Sequence, residues 1–240
     1  MDSSHLWIQR AYAKIEKKGE ERMNEVIETL LNHRSVRDFT DEKLTDKQIQ
    51  TIVESAQRAS TSSFIQAYSI IGVTDEAKKK RLAEIAGNQS YVVENGHFFV
   101  FCADLHRHEV IGELQETEVS STLETDEKLL VAVIDAALAS QNAAVAAESM
   151  GLGICYIGGI RNDLFAVKEV LVLPERVIPL FGMAVGVPAS VEDQKPRLPF
   201  QHVYHENMYE ANPERMKQSL SDYDALIHDY YMVRGSNPRK

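Results

Sequence analysis

A long stretch at residues 128–150 is apolar on nearly every side and rich in alanine. A helix that is apolar all round is normally buried, and small side chains allow another backbone to approach it closely. Gly151 and Gly153 follow at once, as is typical of a helix end. The segment therefore predicts a central or interface helix around which the other elements pack.

Alternating helix and strand patterns fill the rest of the chain. Residues 45–48 (TDKQ) form a capping box, in which a hydroxyl and a Gln side chain satisfy the first amides of a helix, and apolar residues follow at helical spacing. Further strands are predicted at residues 68–73, 97–103, 154–157 and 177–187, and further helices at residues 26–33, 75–86, 163–171 and 213–231. This interleaving predicts an α/β or α+β layer fold and leaves the strand directions open.

Residues 109–127 carry seven carboxylates and no Lys or Arg. This composition predicts a helical excursion whose acidic side chains are solvated. A pair of catalytic carboxylates within the segment is the alternative interpretation.

The overall composition excludes several classes of protein. The formal net charge of −10 disfavours nucleic acid as the main partner, although a local basic pocket for a small phosphate remains possible. The longest apolar runs are shorter than a membrane span. Cys102 and Cys155 each lie in a strand-like apolar run, so we expect reduced core residues and a cytoplasmic protein.

The first 22 residues differ from the rest of the chain. They are charged, have helical spacing and lack the continuous apolar stretch of a signal peptide. We expect residues 1–22 to be a helical extension that precedes a single domain at residues 23–240.

Common cofactor and metal motifs are missing or incomplete. The sequence GLGICY at residues 151–156 begins like a dinucleotide fingerprint, but it lacks the third glycine and precedes a strand rather than following one. The histidine pairs at residues 106–108 and 202–205 lack the spaced partners of zinc sites. We therefore predict no metal site.

Three short basic segments concentrate phosphate-binding chemistry in this acidic chain. Residues 33–37 (HRSVR) place two arginines three positions apart, residues 195–199 (KPRLP) present two cations on a stiff extended chain, and residues 234–239 (RGSNPR) form a basic loop. Each segment alone is most simply a solvated basic turn. Together they predict two phosphate sites, because arginine side chains pair well with phosphate oxygens.

Two further segments are polar and rich in accessible backbone. Residues 60–66 (STSSFIQ) gather hydroxyl donors and an amide in one loop. Residues 156–161 (YIGGIR) end a strand in paired glycines, which allow a flat ligand to approach the main chain.

Several of these segments also occur in a family-specific order. The order is HRSVRDF, STSSFIQ, GNQSYV, ESMGLGICYIGGIRN, LFGMAVGVP, KPRLP with a following VYHEN, and YYMVRGSN. From about Met23 to Lys240 the chain closely resembles the NADPH-dependent, oxygen-insensitive nitroreductase and flavin reductase family of the nitroreductase superfamily. The resemblance implies an α+β fold with a central, mainly antiparallel sheet flanked by helices. It also implies an intertwined homodimer with one FMN in each active site at the subunit interface.

The resemblance assigns a set of cofactor-binding residues. His33, Arg34, Ser35 and Arg37 would contact the ribityl-phosphate and ring of FMN, and Lys195 and Arg197 would complete the phosphate site. Gln89, Ser90 and Tyr91 would lie beside the isoalloxazine, with Gln89 next to N5, and Tyr156, Ile157, Gly158 and Gly159 would line its opposite face. Thr61, Ser62 and Ser63 would reach the flavin from the partner subunit, and Arg234 and Arg239 would bind the 2′-phosphate of NADPH.

The implied activity is that of an oxidoreductase. Hydride would pass from NADPH to flavin N5 and on to nitroaromatics, quinones or free flavins by a ping-pong mechanism, with no catalytic side chain required. One alternative is an NADPH:FMN reductase that supplies reduced flavin to a partner enzyme, and another is a poorly active flavin-binding protein. Family members continue beyond the position of Lys240, so we expect a shortened C-terminal tail.

Overall fold

The computed structural model describes residues 24–233. Two compact units divide the chain, one ending at Val191 and the other beginning at Glu192. The helical extension predicted for residues 1–22 lies outside the described residues.

A four-stranded sheet forms the centre of the larger unit. Its strands are β1 (Tyr68–Val73), β2 (His97–Asp104), β3 (Gly153–Ile157) and β4 (Val177–Gly186), in the spatial order β1-β2-β4-β3. Every neighbouring pair is antiparallel. The α+β fold with an antiparallel sheet that the resemblance implied is therefore confirmed, and the strand directions are now settled.

Helices cover the sheet and follow the predicted pattern. In the larger unit they are α1 (Glu25–Leu31), α2 (Asp46–Ala56), α3 (Glu76–Ile85), α4 (His106–Leu114), α5 (Ser120–Leu123), α6 (Asp126–Ser149) and α7 (Leu164–Leu171). The smaller unit contains α8 (Phe200–Val203) and α9 (Pro213–Val233). The predicted capping box is confirmed, because the Thr45 hydroxyl accepts the Gln48 amide while the Gln48 side chain accepts the Thr45 amide.

The two faces of the sheet pack against different helices. Since alternate strand residues point to opposite faces, Phe98 and Val100 of β2 pack in one cluster with Leu82 of α3. Phe99 and Phe101 pack in another cluster, with residues of α2 and α6. Both cysteines are buried free thiols, as predicted.

Helix α6 is the central helix that the sequence predicted. Ala136, Ala139 and Ala143 are fully buried against α2 and the sheet. The same helix is long and apolar enough to cross a membrane by composition alone, a test that a buried core helix also passes. Its exposed side carries a stripe of large apolar residues, Leu130, Ile134 and Leu138.

The acidic excursion is helical and largely solvated, as predicted, because every carboxylate in it is exposed except Glu109, which is half-buried. Arg176 donates from Nε to Glu109 Oε1 and from a terminal nitrogen to Glu124 Oε1, at 2.9 Å in each case. Both bonds tie α4 and the end of α5 to the residue just before β4. Two of the seven carboxylates therefore act as structural anchors.

Candidate active site

The basic segment at residues 33–37 runs beside β3, an edge strand of the sheet. The Val36 amide donates to the Ile154 carbonyl at 2.8 Å, and Ser35 forms a parallel bridge to Ile154. Gly153 makes this approach possible, because a Cβ there would lie 2.6 Å from Val36 Cγ2. The backbone of the segment is thus fixed against the sheet.

The first two side chains of residues 33–37 have well-defined contacts. His33 Nδ1 lies 2.7 Å from Glu148 Oε1, which anchors the segment to the end of α6. Arg34 donates from Nε to the Asn32 carbonyl at 3.0 Å and enters no ion pair among the described residues. Arg34 lines a cavity of about 450 Å³, together with Val36, Gly153 and other residues. Its terminal nitrogens have no hydrogen-bond partner among the described residues, and Glu25, Glu28 and Glu148 line the same cavity.

Arg37 and Tyr91 join two of the predicted segments. The Arg37 guanidinium donates a hydrogen bond to the half-buried Tyr91 hydroxyl. Burial raises the pKa of Tyr91 above its usual value, Cys155 raises it further, and Arg37 opposes the rise. Residues 33–37 and 89–91 thus meet beside β3.

Gln89 precedes a short 3-10 turn at Ser90–Val92. The chain reaches it through Gly87 and Asn88, whose φ angles of 86° and 60° lie in the left-handed region. The Gln89 Oε1 atom is buried and has no hydrogen-bond partner within the part of the chain that the structure describes. Because buried amide groups are normally paired, this side chain is suited to a bound ligand.

Gly158 and Gly159, which follow β3, allow close packing of the chain as well as access of a ligand to the main chain. A Cβ on Gly159 would lie 2.7 Å from the Ala86 carbonyl oxygen, and Asn162 donates to the Ile85 carbonyl at 3.0 Å. These contacts bring the end of α3, and with it the turn that leads to Gln89, against residues 158–162. Gly158 remains exposed.

Strand β3 itself ends in Tyr156 and Ile157, two residues that were predicted to line the cofactor. The Tyr156 hydroxyl donates to the Ser140 carbonyl of α6 at 2.8 Å. Ile157 is buried in the core cluster that contains Val36. Both side chains therefore serve the fold, and any ligand contact at these residues falls to the main chain.

The serine-rich loop is held by α6. Asp135 accepts the Ser62 amide at Oδ1 and the Ala67 amide at Oδ2, both at 3.0 Å. None of the described contacts of Thr61, Ser62 or Ser63 reaches residues 33–37 or Gln89. The structure therefore joins three predicted segments at β3 and gives this loop a separate anchor.

The remaining predicted cations belong to the smaller unit or lie outside the described residues. Lys195 and Arg197 are exposed in the smaller unit, where the Tyr223 hydroxyl donates to the Pro196 carbonyl at 3.1 Å. Arg234 and Arg239 lie outside the described residues.

Three residues that fix the candidate site segments were not predicted from the sequence: Asp135 and Glu148, described above, and His108, which lies 2.9 Å from the Ile65 carbonyl oxygen in the serine-rich loop. A usable signal existed for Asp135, the one charged residue between Lys128 and Glu148 in a helix predicted to be buried. A buried charge needs partners, so its presence could have indicated a polar anchor. Glu148, at the end of α6, and His108, in α4, carry no such signal.

Comparisons with known proteins agree over most of the chain. The family model described as the Nitroreductase family matches residues 30–187, and that of the family's C-terminal domain matches residues 195–240. The chain is 58% identical over 218 residues to a protein named FMN reductase (NADPH) from Bacillus subtilis, covering 91% of this chain and 88% of that protein.

Solved structures are similarly close. A structure of B. megaterium NfrA1 has a TM-score of 0.87 and 61% identity, covering 88% of this chain and 86% of that chain. The NADPH:FMN oxidoreductase from Vibrio harveyi, solved in complex with NAD+, has a TM-score of 0.80 and 42% identity and covers 87% of each chain.

Proposed function

The chain belongs to the nitroreductase family, and from that premise we propose that it is an NADPH-dependent oxidoreductase with FMN as its cofactor. The observation that carries the proposal is the meeting of residues 33–37 and 89–91 beside β3 through the Arg37–Tyr91 hydrogen bond. A similar protein from B. subtilis is named FMN reductase (NADPH), which supports a role for both NADPH and FMN.

The described residues fit a flat, phosphorylated cofactor. Among the described residues, neither the terminal nitrogens of Arg34 nor the buried amide oxygen of Gln89 has a hydrogen-bond partner. Gly158 is exposed and offers main chain beside the Arg161 guanidinium. The cation of Arg34 suits a phosphate, and the amide of Gln89 suits the edge of a heterocycle. The accessible backbone at Gly158 suits the face of a ring.

In this proposal each predicted segment has one task. His33, Arg34, Ser35, Arg37, Lys195 and Arg197 hold the phosphate and ribityl chain. Gln89, Ser90 and Tyr91 hold one edge of the ring, while Tyr156, Ile157, Gly158 and Gly159 line its face. Thr61, Ser62 and Ser63 approach from the partner subunit.

Bound FMN would supply the redox chemistry by accepting hydride from NADPH and passing electrons to a second substrate. Cationic groups near the flavin favour its anionic reduced form, which is an electrostatic contribution of the protein. Arg234 and Arg239 select NADPH through its 2′-phosphate, and no side chain is needed as a general acid or base.

Nitroaromatics, quinones and free flavins are the acceptors we propose, used by a ping-pong mechanism. The name of the B. subtilis relative favours one second candidate, an NADPH:FMN reductase that supplies reduced flavin to another enzyme. The reduced, buried cysteines fit a cytoplasmic location.

The exposed stripe on α6 supports the proposed homodimer. Leu130, Ile134 and Leu138 lie one turn apart and would be covered by a second copy of the chain. The buried alanines of α6 pack within the protomer, so the large apolar residues, rather than the alanines, form the proposed contact.

A direct test uses the purified protein. It should carry non-covalent FMN, visible in its absorption spectrum, and oxidise NADPH faster when nitrofurazone or free FMN is added. Comparison of the two acceptors separates a general oxidoreductase from a dedicated flavin reductase. A protein that neither binds FMN nor oxidises NADPH would exclude both candidates.

A further inference from the structure

The loop between Thr61 and Ala67 has an unusual backbone. Ser63, Phe64 and Gln66 have φ angles of 48°, 58° and 53°, in the left-handed region that residues other than glycine avoid. Three such residues within four positions will not persist unless their surroundings impose the conformation. The conformation therefore depends on the groups that hold the loop.

Asp135 bonds to both ends of the loop. Its side chain is completely buried in the middle of α6, and its two oxygens accept the amides of Ser62 and Ala67 at 3.0 Å each. Charge-assisted bonds of this kind are stronger than neutral ones, and a buried carboxylate depends on them. The carboxylate thus fixes the distance between the two ends.

Helix α4 holds the carbonyl groups between those ends. His108 Nε2 lies 2.9 Å from the Ile65 carbonyl oxygen, so Nε2 must carry the donated hydrogen. Arg107 donates to the Gln66 carbonyl at 3.2 Å. Two helices therefore clamp the loop from its amide and carbonyl sides.

The clamp uses only backbone groups of the loop. Ser62 and Ser63 are exposed, and their hydroxyls form no hydrogen bond with any residue that the structure describes. These hydroxyls therefore remain available to a ligand, while the backbone that carries them is held in one conformation.

We propose that Asp135, assisted by His108, is a positioning residue that holds this loop in the conformation that binds FMN across the subunit interface. This inference rests on the proposed function, in which Thr61, Ser62 and Ser63 contact the partner's flavin. Asp135 does not contact the flavin; it acts by fixing the loop in advance, so that binding does not have to order it.

Asp135→Asn provides the central test. The amide keeps the size of the carboxylate but turns one acceptor into a donor, which would face a loop N–H. Asn142→Ala is the matched control, because it removes an α6 side-chain bond of 3.2 Å to the Ser55 carbonyl of α2 and leaves the loop anchors intact.

Hydrogen exchange of the flavin-free protein reports on the clamp itself. In Asp135→Asn the amides at residues 60–68 should exchange about tenfold faster or more, while the same peptide in Asn142→Ala is unchanged. FMN titration of each protein should show a dissociation constant raised about tenfold to a hundredfold in Asp135→Asn only.

The outcomes distinguish a failure of the proposed function from a failure of the proposed role of Asp135. Failure of the wild-type protein to bind FMN would overturn the proposed function, while exchange would still measure the clamp. Unchanged loop exchange, or unchanged FMN affinity beside a binding wild type, would overturn the role of Asp135. If Asp135→Asn does not fold, His108→Ala must show the same changes in smaller degree, and no change in that variant overturns the proposal.

Discussion

The Arg37 guanidinium donates a hydrogen bond to the Tyr91 hydroxyl, which links the segment before β1 to the turn before β2. The first segment is fixed along β3 through Val36, and the turn approaches β3 through Gly159. The candidate site is therefore assembled by one edge strand that receives two distant parts of the chain.

Removing the arginine at this junction should weaken flavin binding. We expect Arg37→Ala to lose a charge-assisted phosphate contact of about 1.5–3 kcal/mol, or roughly tenfold to a hundredfold in FMN affinity. Arg197→Ala should behave similarly. Fluorescence titration of flavin-free protein measures both, with Arg81→Ala as the control because Arg81 is exposed and pairs with Glu84 on α3.

Titration of Tyr91 in the flavin-free protein tests the contact between Arg37 and Tyr91. Because Arg37 lowers the pKa of Tyr91, the pKa of that tyrosine should rise in Arg37→Ala. Unaltered FMN affinity in both arginine variants would contradict the phosphate assignment.

Nucleotide preference should depend on the basic residues near the carboxyl end. Arg234→Ala should raise the KM for NADPH and leave the use of NADH and the flavin content nearly unchanged, because only NADPH carries the 2′-phosphate. We expect a wild-type preference of about tenfold to a few hundredfold in kcat/KM. Steady-state kinetics with both nucleotides measure it, and added salt should reduce it. Equal loss of NADH and NADPH activity would show that Arg234 supports the fold instead.

The exposed stripe on α6 predicts how the dimer can be broken. Ile134→Arg should place an unpaired charge in the subunit contact and yield monomers that release flavin. Light scattering coupled to size exclusion measures the mass. Phe165→Arg is the control, since Phe165 is an exposed apolar residue on α7, which packs on the opposite face of the sheet. A flavin-bound Ile134→Arg monomer would speak against the interface.

The buried His97 predicts acid sensitivity. Burial, with a smaller contribution from Lys79, lowers the pKa of His97 to about 4, whereas an unfolded histidine titrates near 6.5. Between these values the unfolded state binds the proton and the folded state does not, so the free energy of unfolding falls as the pH drops from about 6.5 to about 4. The full loss is about 3 kcal/mol.

Three variants isolate this effect from other titrating groups. His97→Gln should flatten this part of the pH dependence in urea unfolding, whereas His228→Gln, at an exposed position, should not. Lys79→Met should raise the pKa of His97 by removing the neighbouring charge. Identical pH profiles for the wild type and His97→Gln would refute the assignment.

The sequence predicts local features well and distant pairings poorly. The capping box at Thr45 and the strand at residues 68–73 depend on neighbours in the chain, and both are found where they were predicted. The alanines of α6 suggested an interface, but Ala143 packs within its own protomer because helix α2 and the sheet occupy that side. Glu109 was expected to be solvated because its partner, Arg176, lies 67 positions away.

The candidate site is likewise predictable in its local segments and not in the way these segments meet. The individual segments at residues 33–37, 89–91 and 156–161 can be recognised by residue type. Their meeting at β3 depends on contacts such as Gly159 with Ala86, which leave no periodic pattern. The resemblance to a family supplied that information in the form of motif order.

Strand β3 is an edge strand, and residues 35–36 occupy part of its outer side. An uncovered edge presents unpaired N–H and C=O groups to other chains and can seed aggregation. The segment proposed to bind phosphate therefore also protects the protein's solubility. Substitutions that dislodge its backbone should appear first as insoluble protein, before any defect in catalysis can be measured.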